Sequence, residues 1–146
     1  MSTFVGIDLG TTNSVVAYRN AYGRPEVIAN REGQNITPSV VYFGADPPAV
    51  GQEAKEWARL GNDEIASFFK PHMGNPLYHL SFHGRDYDAT KLSALVLMRL
   101  KEDAEAKLGL AVDRAVITAR STVSPSRAEA SSLRRRRTMA DRSVAE

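Results

Sequence analysis

Two short apolar runs rich in β-branched residues, Phe4–Leu9 and Val112–Thr118, bracket a segment whose clearest element is a long helix just ahead of the second run. The helix is predicted over 89–108. Asp88 suits its N-cap, Leu92, Leu95, Val96, Leu100, Ala104 and Leu108 form one apolar stripe, and Gly109 supplies the stop. Periodicity makes both runs buried strands, and the helix between them needs a sheet to cover. The order of elements predicts an α/β or α+β fold whose last strand rejoins the first sheet.

Shorter signals fill the interval. Ser14–Tyr18 reads as a second strand returning from the turn after Leu9. Glu26–Ala29 reads as a third, behind the turn signals of Asn20 to Pro25. Three strands in thirty residues suggest an antiparallel meander. Thr37-Pro38-Ser39 breaks the chain ahead of a β-rich run over 40–43, and Asp46-Pro47-Pro48 makes a loop. Gln52–Leu60 is predicted helical, with Ala54, Trp57 and Ala58 on one face, Trp57 packed in the core and Gly61 as C-cap. Leu77–Phe82 and Arg85–Asp88 form a hairpin around His83-Gly84. No repeat is visible.

Composition limits how much of the chain can fold. Residues 1–118 carry 12 Lys and Arg against 14 Asp and Glu, whereas residues 119–146 carry 7 Arg against 3 acids. Arg, Ser and Ala fill 18 of those last 28 positions, without Phe, Tyr, Trp or Ile. Such a segment cannot bury enough apolar surface to offset its ordering entropy, so 119–146 is expected to be a disordered tail. The chain has no cysteine, which removes disulfides and thiolate metal sites and fits a cytoplasmic location. No signal peptide or membrane span is expected. His72, His79 and His83 lack metal-ligand spacing and read as structural or exposed.

Asp8-Leu9-Gly10-Thr11-Thr12-Asn13-Ser14 is the stretch with chemical content. A carboxylate at the end of a buried strand is costly unless compensated, and a metal-bound water is one candidate partner. Gly10 allows a turn with no side chain in the way. The amides and hydroxyls that follow it suit phosphate oxygens. A plain turn in which Asp8 caps backbone amides fits the spacing as well. The Walker spacing of glycine, lysine and hydroxyl is absent.

The run from Gly6 to Ala17 resembles the first phosphate-binding loop of the actin, sugar-kinase and heat-shock-chaperone ATPase superfamily. Further segments, in the family's order, resemble the DnaK-type seventy-kilodalton heat-shock chaperones. They are Thr37 to Phe43, Val50 to Lys55, Phe69 to Gly74, Leu95 to Gly109 and Ala115 to Thr118. Together they cover about residues 3–118. The resemblance implies the first part of a nucleotide-binding domain. Its fold would be a partial actin-like, ribonuclease-H-like lobe, a mixed sheet with 39–115 as an inserted smaller α+β subdomain. It implies ATP or ADP with magnesium as ligand, and unfolded client proteins and co-chaperones as partners of the intact family. It also implies roles. Asp8 would organise magnesium through water, Gly10, Thr11, Thr12 and Asn13 would line the β- and γ-phosphates, and Lys70 would be the catalytic lysine that stabilises charge on the γ-phosphate.

Past Thr118 the resemblance gives way to the arginine-rich segment, as a reading-frame change in a GC-rich gene would produce, and a truncated or frameshifted product is expected. The second phosphate loop and the adenosine-contacting segment that the family carries later do not occur in these residues, so weak ATP binding and no turnover are expected. Two other readings compete. A sugar kinase would share the phosphate loop but not the later segments. A nucleic-acid-binding module would use Arg134 to Arg137, but the segment has no aromatic residue for base stacking, so nucleic acid is not expected as a partner.

Overall fold

A computed structural model describes residues 3–119. The main sheet follows from the first thirty residues. β1 (Phe4–Asp8), β2 (Asn13–Arg19) and β3 (Pro25–Val27) form the antiparallel meander, with Val5 opposite Tyr18 and Ala17 opposite Val27. β4 (Thr37–Pro38) pairs with the opening residues of β2, Asn13 and Ser14. A second, three-stranded sheet has the order β6 (Ala49–Val50), β5 (Val41–Tyr42), β7 (Ile65–Ala66), with α1 (Gln52–Arg59) following β6 directly. A 3-10 turn covers Lys70–His72, and β8 (Leu80–Phe82) and β9 (Arg85–Tyr87) make the expected hairpin. Both residues of its turn, His83 and Gly84, have positive φ, the geometry that matches the twist of the flanking strands.

The long helix, α2 (Ala89–Leu108), has the predicted bounds. Asp88 accepts from the Lys91 amide at 2.7 Å, and left-handed Gly109 donates to the Glu105 carbonyl at 2.9 Å. β10 (Arg114–Thr118) then joins β1 in parallel, with Val5 beside Ala115 and Ile7 beside Ile117. The last strand thus rejoins the first sheet. Val5, Ile7, Leu9 and Val16 from the main sheet, Val41, Phe43 and Val50 from the middle segment, and Leu92, Val96, Leu100 and Ala104 from α2 belong to one continuous buried cluster.

Several expectations change. Asp8 is exposed, because alternation along β1 buries Val5 and Ile7 and turns Phe4 and Asp8 to the opposite face. The Trp57 ring lies at the rim of α1, 38% exposed, stacked on Tyr42 at 5.1 Å, and is not a core residue. The strand expected from Leu77 begins only at Leu80, because Asn75 gathers the Leu77 and Tyr78 amides into turns. Thr37-Pro38, read as a break, is itself a strand bridge. The expected arginine-rich tail lies outside the described residues from 120 onward.

Candidate functional site

The turn between β1 and β2 carries the suspected phosphate-binding residues, and its shape has identifiable causes. The Leu9 amide donates to the Thr118 carbonyl at 2.9 Å, so β10 steadies the chain up to the turn. At Gly10 the backbone folds back tightly. A Cβ there would stand 2.0 Å from the Asn13 carbonyl oxygen, so no residue with a side chain fits without moving backbone.

Two buried hydroxyls close the turn. Ser39 Oγ donates to the Gly10 carbonyl at 2.9 Å, and its remaining acceptor capacity meets Ser14 Oγ at 2.8 Å. With the Ser39 proton committed, Ser14 is the donor of that pair. Ser14 Oγ in turn accepts from the Gly10 amide at 3.3 Å. The four groups form a ring with one consistent direction of donation. The Ser39 amide adds a bond to the Thr12 carbonyl at 2.9 Å. The 37–39 segment therefore clamps the turn from the inside. Asp8, Thr12 and Asn13 stay exposed and Thr11 partly so. Neither the Thr11 nor the Thr12 amide finds an acceptor among the described residues. Asp8 Oδ1 accepts from Thr118 Oγ1 at 3.3 Å.

Lys70 lies in the 3-10 turn and is 8% exposed. The turn closes through the His72 amide on the Phe69 carbonyl and the Met73 amide on the Lys70 carbonyl. It rests against α2, where Ser93 Oγ meets Met73 Sδ at 3.6 Å. No hydrogen bond or ion pair joins Lys70 to Asp8 or to the 10–13 turn. The two regions meet instead through a hollow of about 190 Å³ lined by Thr11, Thr12, Ser39, Ser67 and Phe68, the last two residues before Phe69-Lys70. Phe68 adopts a left-handed conformation (φ 54°), which costs a residue of its bulk about 1–2 kcal/mol, and its ring is exposed at this hollow.

Sequence reasoning missed Ser14, Ser39 and Phe68. Ser14 lies four residues from Gly10 and was visible in the loop, but its partner Ser39 is twenty-five residues further on, and only the β2–β4 pairing brings them together. Nothing local marks Phe68 as left-handed. The histidines behave as expected. His72 stacks on Tyr78 at 4.1 Å, His79 is exposed, and His83 Nε2 lies between the Phe43 carbonyl at 3.0 Å and Glu64 Oε1 at 2.8 Å. Among the described residues no helix is long and apolar enough to cross a membrane.

A family model described as "Hsp70 protein" matches residues 4–80 and 66–122. The matched span takes in the β1–β2 turn, the Ser39 clamp, the Lys70 turn, α2 and β10, and not the phosphate loop alone. That extent separates it from a likeness resting on the Asp-x-Gly-Thr core that sugar kinases share. On these grounds the chain belongs to the Hsp70 family.

Proposed function

We propose that this chain carries the phosphate-holding wall of an Hsp70-type ATP site, with the β- and γ-phosphates of magnesium-bound nucleotide on the Gly10–Asn13 turn. The observation that carries the reading is the preset turn. Gly10 is packed against the Asn13 carbonyl, the serine ring fixes its peptide, and the Thr11 and Thr12 amides are left without acceptors beside exposed hydroxyls. Amides fixed before the ligand arrives lose little on binding, which is how a backbone turn comes to favour an anion.

The donor set fits a magnesium ion held at one remove. A single carboxylate does not strip Mg²⁺ of its water, so Asp8, exposed at the end of β1, would hold the ion through its hydration shell. Magnesium supplies charge neutralisation on the phosphates. Lys70, two residues beyond Phe68 at the hollow and itself buried, would be the cation brought to the phosphates. In this role Lys70 is the catalytic group of the intact family, with Asp8 as magnesium organiser.

Residues 1–146 taken by themselves hold one wall of such a cleft. We therefore propose that these residues alone bind nucleotide weakly and without turnover, with a cytoplasmic location and with client and co-chaperone contacts belonging to the intact family. Titration of isotope-labelled protein with Mg-ATP is the test. Amide shifts at Gly10 to Asn13 that saturate weakly, need magnesium and weaken in Lys70→Ala are expected. Shifts elsewhere, or none at millimolar nucleotide, would remove the phosphate-wall reading. Micromolar affinity by calorimetry would instead show that one wall is sufficient.

A further inference from the structure

Phe68 is held in a backbone conformation (φ 54°) that glycine or asparagine would adopt at less cost. Its neighbour Phe69 supplies the packing at this point of the chain, 1% exposed in the core. The Phe68 ring, 61% exposed, stacks on no other ring among the described residues. An aromatic side chain that adds little to the fold, kept at a strained position, points to contact with a ligand.

That ring lines the hollow of about 190 Å³. Val40, Ala58 and Ile65 share the wall with it, and Thr11 and Thr12 bring the turn after β1 to the same space. Lys55, on α1, is the single charged side chain of the wall and makes no ion pair among the described residues. A mainly apolar space with one cation and no carboxylate selects an anion that carries an apolar group. Size narrows that group. An apolar cavity of about 150 Å³ takes up benzene, so this hollow suits a single aromatic ring.

We propose that the hollow binds a phosphate monoester of a single aromatic ring, with the ring against Phe68 and the phosphate between Lys55 and the Thr11 and Thr12 amides. The seat of the phosphate rests on the proposed phosphate role of the Gly10–Asn13 turn. The seat of the ring rests on the lining of the hollow alone. Each half of the ligand has its own contacts. Phe68 and the apolar wall take the arene out of water. The Lys55 ammonium and the two amides without acceptors meet the phosphate charge.

Titration of the isotope-labelled full chain with phenyl phosphate, inorganic phosphate and phenol tests the site. Phenyl phosphate should give saturable amide shifts at Thr11, Thr12, Ser67 and Phe68, and bind about tenfold or more tighter than either fragment. Phe68→Gly and Phe68→Asn both suit the left-handed backbone. Each should weaken phenyl phosphate by about three- to tenfold and leave inorganic phosphate unchanged. Lys55→Gln should weaken both phosphates and leave phenol unchanged. The wild-type comparison decides if the variants fail to fold. Equal affinities for phenyl phosphate and inorganic phosphate overturn the proposal and leave the phosphate role of the turn standing. Equal affinities for phenyl phosphate and phenol overturn it at the anion's seat, and the magnesium-dependent ATP titration then reads the turn separately. Phe68 variants that bind phenyl phosphate as the wild type does overturn it as well, as do shifts confined to residues outside the hollow.

Discussion

At Gly10 a single hydrogen atom decides whether the turn can exist. Gly10→Ala places a methyl group against a backbone carbonyl, which cannot swing aside as a side chain can. A cost of about 1–3 kcal/mol is expected from such overpacking, read as a lower urea midpoint with the helix signal intact. Ser39→Ala tests the other half of the turn. It strips the Gly10 carbonyl and Ser14 Oγ of a buried partner and should cost about 1–3 kcal/mol by the same measurement. Tyr78 gives a different signature. Burial holds its phenol above the ordinary value of 10.0, so the folded state keeps that proton longer than the unfolded chain does. The associated stability is complete below that ordinary value and fades as pH rises through the folded value. A urea midpoint that falls in strongly alkaline buffer, and falls less in Tyr78→Phe, is the expected result.

Among the elements, α2 is the one whose partners matter most. Asp103 is buried on it, and its Oδ1 receives Arg31 Nε at 2.8 Å, while Glu102 holds the same guanidinium at 3.2 Å. Asp103 Oδ2 has no partner among the described residues. Arg31 begins the loop that Asn30 organises through the Glu32 and Gln34 amides, and this loop delivers Thr37–Ser39 to the Gly10 turn. Arg31→Met leaves a buried carboxylate without its cation. Because the pair is half open to water on the arginine side, about 1–3 kcal/mol is expected from chemical denaturation. Adding Asp103→Leu should recover most of the loss, since the charge left unpaired is then gone.

Legibility from sequence divides along the same lines. α2 was readable to the residue because its stripe, its aspartate cap and its left-handed glycine agree. β1, β2 and β10 were readable because short β-branched runs sit between turn signals. The two-residue pairings β4, β6 and β7 carry no period that a window could detect. The Gly10 turn was visible as a motif, whereas its Ser39 clamp depends on a long-range pairing. The exposure of Asp8 depends on which face of β1 the helix covers, which no local pattern fixes.

Among the described residues one large core spans the main sheet and the middle segment, with a small second cluster around Tyr42, Ala49 and Ala54, and α2 runs through the large one. Its 20 residues span about 30 Å, touching the Lys70 turn and β9, the β5–β6 ribbon, and β2 in the main sheet. Leu92 is fully buried on it, and Leu92→Ala should cost about 2–5 kcal/mol. The single tryptophan, Trp57, reports the small sheet through its stack on Tyr42, and far-ultraviolet dichroism reports the rest. Both signals should move to the same lower midpoint in Leu92→Ala. Separate midpoints would show two folding units.

A rod fixed at several points along its length leaves little slack between them. The hairpin β8–β9 and β2, whose first residues close the turn after β1, are attached to the same rod, so a push on one reaches the other as displacement instead of being lost in a soft joint. Whatever docks on that hairpin would thereby tug on the strand that leaves the Gly10 turn.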